Sequence, residues 1–179
     1  SEMCIRDSNG IKFFNKNGQK FSEELEKRIE VKLTEEMVPV DSINLGKATR
    51  MSDAQERYIE FCKLPFTDLD LSDLNILLDC ANGATYSVAP KVFTELGANI
   101  ETVAANPDGI NINQNCGSTN PDFLKDQMSK GNYDMGIAFD GDGDRILIIS
   151  SEGTILDGDD ILFILSLRNC PQILVLWVL

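Results

Sequence analysis

Three carboxylates stand at alternate positions in Asp140-Gly141-Asp142-Gly143-Asp144, and Arg145 follows them directly. Apolar stretches flank the run, residues 135–139 before it and 146–149 after it. Like charges this close repel one another unless a cation joins them. The two glycines leave the backbone free to bend and turn alternate side chains toward one point. An all-oxygen, hard donor set suits Mg²⁺, Mn²⁺ or Ca²⁺ and not zinc. Counting excludes an EF-hand. With Asp140 as the first ligand, the invariant glycine position holds Arg145 and the closing glutamate position holds Ser151. Mg²⁺ is therefore the expected ion, with Asp140, Asp142 and Asp144 as ligands and open positions for phosphate oxygen or water. Arg145 is suited to recognise a phosphate group. The competing reading is a solvated acidic turn between two strands.

Two further stretches carry weaker signals. Asp79-Cys80-Ala81-Asn82-Gly83-Ala84-Thr85 falls at a strand-to-helix turn. It reads either as an anion-binding helix start or, more economically, as a tight connection. Residues 111–121, NINQNCGSTNP, are too polar for a core. They fit a binding loop and a plain surface crossing equally well.

Other chemistries are excluded by composition. None of the 179 residues is histidine, so Ser-His-Asp and Cys-His nucleophile systems and His-ligated zinc or haem are ruled out. Lys and Arg number 16 against 29 Asp and Glu, a net charge of −13. No basic face is available for nucleic acid or an anionic membrane, and neither is an expected partner. Cys4, Cys62, Cys80, Cys116 and Cys170 are scattered and odd in number. They read as reduced thiols of a cytoplasmic protein rather than a disulfide framework. Residues 161–179 are strongly apolar, but Arg168, Asn169, Pro171 and Gln172 interrupt them. They fall short of the ~20 apolar residues of a membrane helix.

The elements that must position the acidic loop are legible from periodicity and punctuation. Residues 10–14 predict a short strand, with Asn15-Lys16-Asn17-Gly18 as its turn. Ser22 predicts a helix N-cap, with Glu23 and Glu24 in the first turn and an end near Leu33. Residues 36–50 read as a connector. Ser52-Asp53-Ala54-Gln55 fits a capping box opening a second helix whose apolar face is Ala54, Tyr58, Phe61 and Cys62. From residue 74 the pattern becomes strand–helix–strand: a strand over 75–78, a helix from the 80–84 turn to about Leu96, and a strand over 99–104. Asn120 and Pro121 open another helix, strands follow over 133–139 and 145–150, and residues 157–160 start a last helix. The expected class is α/β, a mixed sheet with covering helices.

At these motifs the sequence resembles the α-D-phosphohexomutase family. The stretches that carry the likeness are DAQERYIEFCK (53–63), LLDCANGATYSVAPKVFTELGA (77–98), NPDGININQNCGSTNPD (106–122) and GIAFDGDGDRILIISSEGTILDGDDIL (136–162), and NGIKFF (9–14) resembles the segment that closely follows the family's active-site serine loop. D-G-D-G-D-R is shared across the family, whereas CANGAT and N-x-N-x-x-C-G-S-T look particular to its branch acting on glucosamine phosphates. The resemblance implies that 9–50 are the end of the family's first domain with a linker, a strand–helix fragment. It implies that 51–167 are the second domain, and that 1–8 and 168–179 are unmatched. It implies interconversion of glucosamine 6-phosphate and glucosamine 1-phosphate through a phosphoserine and a bisphosphate intermediate, serving amino-sugar and cell-wall precursor synthesis. It also implies Mg²⁺ held by Asp140, Asp142 and Asp144, Arg145 on phosphate, and a sugar phosphate as partner. A mutase of mannose or glucose phosphates and a non-enzymatic acidic cation-binding domain are the alternatives. The family's serine loop carries S-H-N-P, so a chain without histidine is expected to lack it and to bind Mg²⁺ without turnover. The sugar-recognising third and phosphate-binding fourth domains are likewise expected outside it. Asn120 stands where the glucosamine branch usually has His.

Overall fold

A computed structural model describes residues 14–47 and 50–167. Two compact units divide between Met51 and Ser52.

In the smaller unit, Phe14 and Lys20 form an isolated antiparallel bridge around the 15–18 turn. Asn15 Oδ1 accepts the N–H groups of Asn17 and Gln19 there. The rest of the expected strand over 10–14 lies outside the described residues. Helix α1 spans Glu23–Thr34. Ser22 Oγ accepts the Leu25 N–H at 3.4 Å, the predicted cap, and Glu23, Glu24 and Glu26 lie in the first turn. None of its residues is buried.

The larger unit is a five-stranded mixed sheet in the order β2-β1-β3-β4-β5. Its strands are β1 (Asn75–Asp79), β2 (Asn99–Val103), β3 (Met135–Phe139), β4 (Ile146–Ser150) and β5 (Ile155–Leu156). β1 pairs in parallel with both β2 and β3, and β3–β4 and β4–β5 are antiparallel. Its helices are α2 (Ala54–Lys63), α3 (Ala89–Glu95), α4 (Pro121–Met128) and α5 (Gly158–Leu167).

The central strands read as continuous apolar runs because both faces are covered. Alternation then sorts the side chains. Ile76, Leu78 and Cys80 of β1 and its turn pack with Ile137, Ala89 and Phe93, which is the α3 face. Leu77 packs with Ala138, Ile149, Leu124 and Met128, which is the α4 face. The chain passes from β1 through α3 to β2, then through α4 back across β1 to β3. Successive crossovers in opposite directions make the carboxyl ends of β1 and β3 the switch point of the sheet, the position where open α/β sheets bind ligands.

Several local expectations are corrected. Ser52 does not cap α2. The helix follows Asp53, whose side chain makes no capping bond, and Gln55 donates instead to the Ser87 carbonyl at 2.8 Å. The buried residue of α2 is Ile59, while Tyr58 and Phe61 are more than half exposed and stack on each other. The helix expected from the 80–84 turn to Leu96 is broken into a 3₁₀ turn, Ala84–Ser87, and α3. Pro90 cannot donate a backbone hydrogen bond and is tolerated only in the first turn of the helix it opens. β2 stops at Val103 because Ala104 turns to a φ of 47°. Asn120 precedes α4 without a side-chain capping bond. β5, two residues long, gave no period to read. Among the described residues no helix is long and apolar enough to cross a membrane.

Leu124 is the fully buried residue by which α4 closes its face of the sheet. Leu124→Ala is expected to lower unfolding free energy by about 2–5 kcal/mol in urea melts. A loss below ~1 kcal/mol would mean that α4 does not pack there.

Candidate metal centre

The acidic run is the connection of the β3–β4 hairpin. It turns tightly because Asp140 organises it from within. Asp140 Oδ1 accepts the N–H of Gly143 at 3.0 Å and of Arg145 at 3.2 Å. Gly143 has a φ of +75°, which an L side chain resists. The outcome is that Asp140, Asp142 and Asp144 each offer a carboxylate oxygen within 4.8 Å of the others. Asp140 is buried, whereas Asp142 and Asp144 face solvent.

The electrostatics follow from that packing. Burial pushes the Asp140 carboxyl up to about 6, helped by its contact with Asp144 and by the charges of Asp142 and Asp144, while the Arg145 N–H pulls it down. Arg145 Nε stands 3.9 Å from Asp140 Oδ2 and 3.8 Å from Asp144 Oδ1. A single guanidinium at that range only partly offsets three carboxylates. A hard divalent cation fits the donor set: all oxygen, convergent, and with Asp142 and Asp144 exposed.

Two other segments carry the loop. The Gly141 carbonyl accepts the Ala84 N–H at 2.8 Å, and the Phe139 carbonyl accepts the Ser118 N–H at 2.8 Å. Asp140 is thus bracketed by two backbone bonds, one from the 80–84 turn and one from the 111–121 loop. A Cβ on Gly83 would run into the Gly141 backbone, so this approach requires glycine. The 80–84 turn is therefore a tight structural connection, and its short 3₁₀ start is engaged with the acidic loop. The polar loop is more than a surface crossing. Asn113 donates its N–H to the Ala81 carbonyl at 2.8 Å, and Cys116 is buried.

Under both segments lies Asp79, a fully buried carboxylate to which the sequence alone assigns no role beyond opening the 79–85 turn. Its Oδ1 accepts the Ala81 N–H at 2.9 Å and its Oδ2 accepts the Gly117 N–H at 2.6 Å. Burial pushes its pKa up and the two N–H donors pull it down, with burial the larger influence. The available signal was a charged residue closing an apolar strand immediately before a turn. Beside it, burial and then the Asp79 charge push the Cys80 and Cys116 thiols each up to about 11.

Comparison with known proteins bears on this geometry. The family model for phosphoglucomutase/phosphomannomutase, alpha/beta/alpha domain II, matches residues 56–153, more than half the chain. The chain belongs to the phosphoglucomutase/phosphomannomutase family. It is 51% identical over 165 residues to the phosphoglucosamine mutase of Cronobacter sakazakii, covering 92% of this chain and 37% of that protein. It is 50% identical over 159 residues to the phosphoglucosamine mutase of Psychromonas ingrahamii, covering 88% and 36%. The chain thus spans little more than a third of the length of these relatives. In fold it is similar to a Thermus thermophilus chain described as a phosphomannomutase candidate. That likeness has a TM-score of 0.58 and 21% identity, over 84% of this chain and 35% of that one. The mixed α/β class expected from sequence is the fold found in this family. The alpha/beta/alpha layering of the matched domain agrees with α3 and α4 on opposite sheet faces.

In this member of the family the thiol beside Asp79 offers a test of the packing under the site. A thiol held up in the folded state stays protonated after the unfolded thiol has ionised. Its contribution is therefore whole below ~8.5 and is lost as pH rises toward about 11. For Cys80, fully buried, that loss is on the order of 2–3 kcal/mol. Cys80→Ala is expected to flatten the fall of urea-unfolding free energy across this window. An unchanged slope would place Cys80 in contact with water.

Proposed function

We propose that the chain supplies the metal-loop domain of a phosphoglucosamine mutase, which interconverts glucosamine 6-phosphate and glucosamine 1-phosphate. The observation that carries this reading is the convergence of Asp140, Asp142 and Asp144 within 4.8 Å. It occurs in a chain half identical, over about nine-tenths of its length, to proteins of that name.

Asp140, Asp142 and Asp144 would hold the ion, with Mg²⁺ preferred because the chemistry concerns phosphate. The bound ion would neutralise charge on a phosphoryl group. Phosphoryl transfer draws mainly on positioning and charge neutralisation. A chain without histidine is therefore no obstacle to it. Arg145, already beside Asp140 and Asp144, would present its guanidinium to a phosphate oxygen of the sugar phosphate. The hairpin geometry keeps these groups at the carboxyl end of β3, beside that of β1. The donor phosphoserine and the groups that choose the sugar we place in other parts of such a mutase. On this reading the 179-residue chain binds Mg²⁺ without turning over substrate.

Two measurements test the proposal. Mg²⁺ at ~100 times its dissociation constant stabilises by about 2.7 kcal/mol. The melting temperature should therefore rise by several degrees, and Asp142→Asn should abolish that rise. A cooperative melt indifferent to Mg²⁺ and Mn²⁺ would overturn the metal assignment. Separately, residues 56–153 exchanged into the Cronobacter sakazakii relative should sustain conversion of glucosamine 6-phosphate, and lose it with Asp142→Asn. A folded chimera without conversion would refute the functional assignment.

A further inference from the structure

We infer that Asp79 is the positioning residue of the metal loop, a buried two-oxygen clamp that fixes Asp140 through its neighbours on both sides. The inference rests on the metal reading of the Asp140–Asp144 run. Asp79 lies at the end of β1, with no exposed surface, and both its oxygens are occupied by backbone donors. It is not a candidate ligand. What it holds is one backbone N–H in each of the two segments that brace the loop, Ala81 and Gly117.

From Oδ1 the connection runs through the turn. The Ala81 N–H is held at 2.9 Å, and Ala81 and Asn82 then take successive left-handed conformations with φ of 53° and 48°. Two L residues in that region cost roughly 1–2 kcal/mol each, so the turn needs an anchor. Three residues after Ala81, the Ala84 N–H reaches the Gly141 carbonyl. From Oδ2 the connection is shorter. The Gly117 N–H is held at 2.6 Å, and the adjacent Ser118 N–H reaches the Phe139 carbonyl. The Phe139 and Gly141 carbonyls flank Asp140. One carboxylate therefore sets both backbone bonds that bracket the buried member of the acidic trio.

A carboxylate is required because the two N–H groups come to different oxygens. Asn at this position offers one oxygen and turns its NH₂ group against the other donor, leaving a buried N–H unpaired. Residues that orient metal ligands without touching the metal change affinity by roughly 10–100-fold when replaced. Asp79→Asn is therefore expected to weaken Mn²⁺ binding by roughly 10–100-fold, followed by the paramagnetic resonance of free Mn²⁺. Ile76→Val, buried in the same strand, should lower the melting temperature and leave the dissociation constant unchanged. A folded Asp79→Asn chain with the original dissociation constant would overturn the inference while leaving the metal reading intact. A folded parent chain that binds no Mn²⁺ would overturn both. Should Asp79→Asn fail to fold, hydrogen exchange on the parent chain decides. Mn²⁺ is expected to slow exchange at the Ala81, Gly117, Ala84 and Ser118 amides beyond any slowing at Leu77 and Ile137. Bound Mn²⁺ with no such excess at Ala81 and Gly117 overturns it.

Discussion

Backbone groups at the end of a buried strand must find partners, and this unit depends on how the ends of β1 and β3 solve that problem. Beyond Asp79 and Phe139 the sheet ladder stops, yet the chain is still buried. Unpaired N–H and C=O groups there would each cost about 1–3 kcal/mol. The solution is reciprocal. Asp79 accepts N–H groups from two segments, and those segments donate other N–H groups, of Ser118 and Ala84, to the Phe139 and Gly141 carbonyls. Cys80 and Asn82 add bonds to the Val103 and Ala104 carbonyls, tying in the end of β2. Three loops distant in sequence become one surface, and the acidic run is its centre.

That arrangement explains the division of labour among the carboxylates. Asp140 spends one oxygen on the turn's own amides, so it is buried and fixed. Asp142 and Asp144 project from the fixed turn toward solvent. A site built this way has one rigid member and two accessible ones. It suits an ion that keeps part of its coordination for water or phosphate oxygen. The raised Asp140 carboxyl reflects first its burial, and then its contact with Asp144 and the charges of Asp142 and Asp144.

Much of this was legible in sequence, for physical reasons that differ by element. β1 and β3 announced themselves as short apolar runs because both faces are buried. The convergence of the acidic loop was legible because alternate carboxylates separated by glycines between two apolar strands must turn together at a hairpin. Where expectation failed, tertiary contacts had overridden local preference. Ser52 and Gln55 formed a plausible capping box, but Gln55 found the Ser87 carbonyl 32 residues away. Tyr58 and Phe61 looked like a core face, but Ile59 is the residue that meets the rest of the unit. Pro90 could have been read as a break, since a proline opens helices more readily than it continues them.

The least legible feature was the support beneath the site. Asp79 reads from sequence only as the first residue of the 79–85 turn, and residues 111–121 read equally as a binding loop or a surface crossing, because both stretches are polar. Polarity alone does not separate a residue facing water from one satisfying buried amides. The difference lies in where the donors are, and here they come from turns 2 and 38 residues away. Such a carboxylate contributes nothing to periodicity and little to hydropathy, yet its oxygens reach both segments that steady Asp140. The candidate metal ligands at the surface of this domain thus lie in one contiguous run of residues. Its turn is shaped from within by Asp140, but the segments that brace it meet at a group outside that run, which is why the loop was recognisable from its residues alone and its scaffold was not.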